Sequence, residues 1–473
     1  MTLPVLVLLA AFVVGPIARF VPNDPLLPLQ WPLDNSAASA SGVGAPALSP
    51  GLEPEADIDA PEAWHISGGT AETVIAILDD GVDGSHPDLS PNLSAFGMDF
   101  SVLPPGRGGH PREPGDSHGT SVAGLAAGRG DNRSGIVGVC HACTVLPIRL
   151  QRRSDAAAAA AVDYAVEMGA DVILVAWGYP MTASETDPFA DALARAARSG
   201  RDGRGLAIVV AAPNEATDFC RGPAADLASL AHVISIGVSD QQNRVGASGF
   251  GDCIDLVAPS KPRYRSTRGV MTSDRLNRDG YSADAFNRSF GGTSAAAALV
   301  AGSAGLLLSI NPELTADELR RMLTLTADRV DRAAARYDRW GHSRYAGWGK
   351  LNAAAALLPA VRLVVQPARV AVGEPFSVTV IATAPFGIGA LGWRVSPGDR
   401  EEAVWQSADN AVGRPVFERT WTGVVIDRPG TFRFEAQIQS RTPPPGRVPK
   451  DYPLTARPPV DDASAVITVT GEL

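Results

Sequence analysis

A parallel β-sheet covered by helices on both faces, an α/β fold, followed by a C-terminal antiparallel β-sandwich, is the architecture that the 473-residue sequence predicts. Three observations lead there. From about residue 60 to 358, short apolar runs alternate with Ala-rich helical stretches, the pattern of strands buried on both faces and joined by crossover helices. After Pro359 the hydrophobic period changes to two, with Pro/Gly turns between runs. Hydrophobic residues are 45% and charged residues 19%, which is a globular composition on a chain long enough for two or three domains.

Taken in order, residues 1–20 open with an apolar run, MTLPVLVLLAAFVVG, that is too short for a stable membrane span. Its length suits a secretory signal, although no Lys or Arg precedes it and no A-x-A site follows. Export, to the medium or the periplasm, is therefore expected. Residues 21–56 read as an N-terminal segment ending in a linker rich in Ala, Ser, Gly and Pro. Within 57–358, strands are expected at Thr73–Leu78, Thr144–Ile148, Asp171–Ala176, Leu206–Val210 and His232–Ile236, with helices over 155–169 and 186–199. In open sheets of this kind reactive groups gather beyond the carboxyl ends of the strands. Within 360–473, the runs starting at Phe376, Phe432 and Ser464 alternate with period two, as strands of an Ig-like sandwich would. The formal net charge of −10 argues against nucleic acid as a partner, because binding it needs a basic face.

Three segments carry chemistry. Ile77-Leu78-Asp79-Asp80-Gly81 ends a buried strand in a carboxylate; Ser117-His118-Gly119-Thr120 supplies an imidazole; Phe290-Gly291-Gly292-Thr293-Ser294-Ala295 sets a hydroxyl at the start of a small-residue helix. Alone, each is a common local signal: a turn, a cap, an N-cap serine. Their order changes the reading. A serine nucleophile needs a base for its proton and a carboxylate to orient that base, and Asp-then-His-then-Ser is the order of subtilisin. The residue at position 296 is Ala, so this is not the G-x-S-x-G elbow of other hydrolases.

The three blocks together resemble the signature blocks of the subtilase family of serine peptidases, over residues 23 to 356. The resemblance implies a subtilisin-like fold, polypeptide substrates and a triad of Asp79 as orienting carboxylate, His118 as general base and Ser294 as nucleophile. Asp80 stands where the family usually has Ser or Thr. Asn214, in Val210-Ala-Ala-Pro-Asn214, matches the family's oxyanion donor. Ala176-Trp177-Gly178 matches the strand that pairs with substrate backbone.

Residues 23–33 and the stretch Tyr337–Ala353 are similar to the kexin-like branch, which cuts after basic residues; Asp218 would be its acidic specificity residue. That branch also implies a structural calcium held by Asp24, Asp88 (in His86-Pro87-Asp88-Leu89) and Asn132, a hard oxygen set.

Cys140 and Cys143 are expected as a local disulfide or two buried thiols; Cys220 and Cys253 flank the strand at 232–238 as candidates for a structural bridge, a connectivity that sequence leaves open. Pro213 replaces a usual Gly, and Ala295–Leu299 departs from the usual Met-Ala-Ala-Pro-His. The alternative function is a catalytically inactive subtilase fold kept for peptide binding or scaffolding.

Overall fold

The computed structural model describes residues 18–35, 55–150, 154–178, 187–221, 225–397, 404–427, 429–449, 451–453 and 464–470. The apolar run expected as a signal and most of the linker lie outside these residues, so nothing structural bears on them.

The first part of the chain runs α1 (Ala60–Ile66), β1 (Val74–Asp79), the two-residue strands β2 (Met98–Asp99) and β3 (Gly106–Arg107), and α2 (His118–Ala127). It continues through β4 (Thr144–Arg149), α3 (Asp155–Glu167), β5 (Val172–Val175), α4 (Pro188–Gly203), β6 (Ala207–Ala211) and β7 (Ile234–Ser239). Then come β8 (Leu256–Pro259), β9 (Val270–Ser273), β10 (Phe286–Phe290), α5 (Gly292–Ile310) and α6 (Ala316–Leu325). Eight strands form one sheet in the order β3-β2-β4-β1-β5-β6-β7-β8. Every pair in it is parallel except β2 with β3. All residues of β5, β6 and β7 are buried, which is why β5 and β6 show no polar alternation and β7 admits only Ser and Gly between its apolar residues.

One core cluster joins the sheet to α1, α2 and α5, and the other joins it to α3 and α4, so both faces are covered. Local signals set the helix starts: Ser154 caps α3, Asp187 caps α4, and Thr315 with Glu318 forms a capping box on α6. All 19 residues of α5 are buried. It is long and apolar enough to cross a membrane, but it is enclosed by protein and is a core helix.

Strand β1 lies between β4 and β5, at the point where the winding of the sheet changes direction. A crevice opens beyond the carboxyl ends of the strands at such a point. Asp79, the last residue of β1, sits at its edge.

The C-terminal strands are β11 (Ala360–Gln366), β12 (Arg369–Ala371), β13 (Phe376–Thr383), β14 (Ile388–Pro397), β15 (Val404–Ser407), β16 (Val416–Val424), β17 (Gly430–Ser440) and β18 (Ser464–Thr470). They make a three-stranded sheet, β11-β13-β16, and a five-stranded one, β12-β18-β17-β14-β15. Val378, Trp393, Phe417 and Phe434 pack between them, and Trp421 sets its ring edge-on to Trp393 at 5.6 Å. The sandwich is antiparallel, as expected, except that the short edge strand β12 pairs with β18 in parallel. The chain leaves the first sheet at Pro367, and its short continuation joins the edge of the second.

These sheets also touch the helical layer. Tyr452 is buried in the first core cluster, its hydroxyl donating to the Leu357 carbonyl at 2.8 Å, and Asn311 Nδ2 donates to the Pro385 carbonyl at 2.6 Å.

A buried lysine ties the two ends of the α/β unit together. Lys350 is 1% exposed; its Nζ donates to the carbonyls of Glu55 and Asp57 and lies 3.5 Å from Asp328. Burial raises the Asp328 carboxyl to about 6, against the pull of Lys350. Lys350→Met is expected to destabilise the fold by about 3 kcal/mol, because it strands acidic groups that the ammonium neutralised. Urea unfolding of the two proteins checks this; an unchanged midpoint would make the cluster energetically neutral.

Candidate active site

Loops leaving the carboxyl ends of β1, β5 and β6 build the site, and the start of α5 closes it. Asp79 is buried, and both its carboxylate oxygens lie 2.9 Å from His118 Nδ1. That contact assigns the proton to Nδ1 and leaves Nε2 as the acceptor on the cleft side. The Asp80 backbone N–H also donates to Asp79 Oδ1, at 2.8 Å.

His118 is the first residue of α2, and Ser117, the residue before it, makes no side-chain cap. Asp80 does that job: its carboxylate accepts the N–H of His118 at 3.0 Å and of Gly119 at 2.7 Å. Burial and the charge of Asp79 push the Asp80 carboxyl upward. Burial also works to lower the His118 imidazole, but the charge and hydrogen bond of Asp79, with the charge of Asp80 behind them, lift it above its ordinary 6.5.

Ser294 is the third residue of α5 and is 7% exposed; its Oγ donates to the Ala176 carbonyl at 2.7 Å. The helix begins at Gly292 with φ +73°, where a Cβ would sit 2.6 Å from Asn214 Oδ1, so glycine is required on both counts. Thr293 N–H donates to that same Oδ1 at 3.1 Å. With its oxygen engaged, the Asn214 amide has its N–H groups left for the cleft. His118, Asn214 and Ser294 line one cavity of about 630 Å³.

The segment Ala176-Trp177-Gly178 follows β5, and its tryptophan is fixed: the indole N–H donates to the Leu78 carbonyl at 2.8 Å and the ring stacks on Phe189. Asp218, expected as an acidic specificity residue, does not line this cavity. Its Oδ2 pairs with Arg344 and its Oδ1 accepts the Cys220 N–H at 3.1 Å, beside the Cys220–Cys253 disulfide. The pair is partly exposed, with Arg344 as the cation Asp218 holds in this structure. Sequence reasoning missed Lys261, Arg263 and Arg288 in the cavity lining and Asp80 as the cap of α2. The tandem Asp79-Asp80 was the visible signal for the cap.

Asp24, Asp88 and Asn132 do come together. Asp24 accepts the N–H of Asp131 at 2.7 Å, Asp88 accepts the N–H of Ile136 at 2.8 Å, and Asn132 Nδ2 lies 3.4 Å from Asp88 Oδ1. Both acids are buried, and burial raises both carboxyls. Gly135 has φ +52°, and a Cβ there would overlap the Asp88 carboxylate. Two buried carboxylates, with the Asn132 amide beside Asp88, are hard oxygen donors of the kind that suits calcium. Among the described residues no cluster of three or more His, Cys, Asp or Glu suits a metal, so carboxylates alone would not complete it. Cys140 and Cys143 are joined as a disulfide, as are Cys220 and Cys253.

The profile of the subtilase family matches residues 70–349. The calcium-dependent protease of Trichormus variabilis is 32% identical over 389 residues, covering 76% of this chain and 54% of that protein. Kexin of Saccharomyces cerevisiae is 30% identical over 354 residues, 70% of this chain and 39% of kexin. The chain spans about half the length of the calcium-dependent proteases it matches. In fold, it is similar to the Aeromonas sobria serine protease in complex with its chaperone, with a TM-score of 0.60 and 19% identity, over 97% of this chain and 98% of that one.

Proposed function

The chain belongs to the subtilase family, and from that premise we propose that it is a serine endopeptidase acting through an acyl-enzyme on Asp79, His118 and Ser294. The observation that carries this is the two-oxygen grip of Asp79 on His118 Nδ1 beside a cavity shared by His118, Ser294 and Asn214. With substrate bound, the Ser294 hydroxyl turns from the Ala176 carbonyl to His118 Nε2, gives up its proton and attacks the scissile carbonyl. The negative oxygen so formed is held by Asn214 Nδ2 and by N–H groups at the start of α5. Asp79 stabilises the imidazolium, which then protonates the leaving amine, and a water repeats the sequence in reverse to free the acid. Substrate backbone pairs along Ala176–Gly178 as an added strand.

Mass spectrometry of a peptide library incubated with the protein and calcium, beside a Ser294→Ala control, tests the proposal. Cuts confined to the wild type support it; cuts in both samples, or in neither, would sink it. Asn214→Ala is expected to lower kcat about 10²–10³-fold with KM little changed, since the donor acts on charge that forms only in the transition state. Steady-state kinetics on one peptide reads this, and an effect on KM alone would reassign Asn214 to ground-state binding.

We assign the calcium to Asp24, Asp88 and Asn132, where the ion would neutralise two buried carboxylates and brace the 131–136 loop. Its role is structural and no catalytic step passes through it. Chelation is expected to lower the melting temperature, with about 2.7 kcal/mol recovered when free calcium is 100 times its Kd. Asp88→Asn should abolish that calcium response; a response that persists would place the ion elsewhere. Export to the medium or periplasm is supported by the two disulfides, which last in oxidising compartments. Residues 57–358 are taken as the peptidase unit and 360–473 as a sandwich docked to it.

A further inference from the structure

The wall of the catalytic cavity carries a charge opposite to that of the molecule. The chain has a formal net charge of −10, yet Lys261, Arg263 and Arg288 line this cavity against one carboxylate, Asp284. Lys261 and Arg288 make no ion pair among the described residues. Arg263 is partly engaged: it lies over the Tyr264 ring at 5.8 Å, and its charge reaches Glu215, which accepts the Tyr264 hydroxyl at 2.7 Å.

Two of these cations stand on backbone that adjoins the cavity of His118 and Ser294. Lys261 follows β8, and its carbonyl accepts the Gly292 N–H at 2.7 Å, which fixes its backbone to the turn that presents Ser294. Arg288 stands exposed on β10, where the register with β9 shifts between Asn287 and Phe290. Such a bulge re-aims side chains. Phe290, from the same strand, lies 5.5 Å from the His118 ring.

The direction of the cleft follows from chemistry. His118 hands its proton to the departing amine, so the wall of β10 and Lys261 flanks the part of the peptide after the scissile bond. The acyl part runs along Ala176–Gly178, and none of those three lines the basic cavity.

We propose that, granted the serine-peptidase reading above, this wall selects polypeptides with an acidic side chain at one of the first two positions after the scissile bond, paired with Lys261 and Arg288. A lysine at those positions meets like charge and is disfavoured, so the wall both attracts and excludes. Asp284, with Glu215 drawing on Arg263, reduces the field without cancelling it, since Lys261 and Arg288 make no ion pair among the described residues.

Binding to the full-length Ser294→Ala protein tests this without requiring turnover. Labelled peptides, identical up to the scissile bond and carrying Glu, Ala or Lys at the next two positions, are titrated by fluorescence anisotropy. The Glu peptide is expected to bind about tenfold tighter than the Lys peptide at low salt. That ratio should shrink at about 0.5 M salt, where exposed charges are screened. Adding Lys261→Gln and Arg288→Gln to the Ser294→Ala background should abolish the preference, with melting temperature as the check on folding. Arg288→Gln alone, at an exposed position, should weaken the preference and serves if the double change unfolds the protein. Equal affinities, a preference for Lys, or no binding of the Glu peptide at about 1 mM would overturn the proposal. Cleavage of the same peptides by the wild type bears only on the peptidase reading, so the two can fail separately.

Discussion

Ser294→Ala is expected to lower kcat about 10⁶-fold on any peptide the wild type cleaves, while the protein stays folded. Removing the hydroxyl removes the nucleophile, and nothing beside it can take over. Its neighbours Thr293 and Ala295 are buried in the first turn of α5, and the Asn214 side chain has no nucleophilic atom. The structural loss is one hydrogen bond, from Oγ to the Ala176 carbonyl, worth about 1 kcal/mol. Turnover should therefore collapse with little change in melting temperature, and a labelled fluorophosphonate should no longer attach. A variant that still turns over at more than a hundredth of the wild-type rate, which is about 2.7 kcal/mol of barrier, would remove Ser294 from the mechanism.

Asp79→Asn comes next, with an expected loss of about 10⁴ in kcat. An amide in that place presents an N–H₂ to His118 Nδ1 and drives the proton to Nε2, where the base is needed. Asp80 cannot rescue the tautomer, since its own carboxylate is committed to the N–H groups of His118 and Gly119. The pH profile separates this from misfolding. The base works as neutral imidazole, so kcat/KM rises with pH through the His118 pKa, which Asp79 and Asp80 hold above 6.5 in the free enzyme. Without the charge of Asp79 the burial that opposes it prevails, and the rising limb should move to lower pH as its plateau falls. A variant whose limb stays in place would show that Asp79 is not the partner of the titrating group.

The buried strands were legible because a segment covered on both faces has no polar side to interrupt it, as in Val172–Val175 and Ala207–Ala211. Strands β8 and β9 were not, being four residues each in a stretch broken by Pro259, Pro262 and several arginines. His118 and Ser294 could be singled out from their sequence blocks, although their positions lie 176 apart and only the fold brings them to one cavity. The ion pair of Asp218 was illegible for the converse reason: its partner, Arg344, lies 126 residues downstream and leaves no local mark. Lys261 and Arg288 were hidden in the same way, as ordinary surface charges until β8 and β10 set them beside Ser294.

Ser294, the proposed nucleophile, rides on α5, whose every residue is enclosed, so its amides should be among the slowest to exchange with deuterated water. The serine cannot slip out of place by a local opening while the remainder holds. Loss of catalysis on heating should then track global unfolding, and a molecule damaged by its own kind should stay competent until a cut reaches the core.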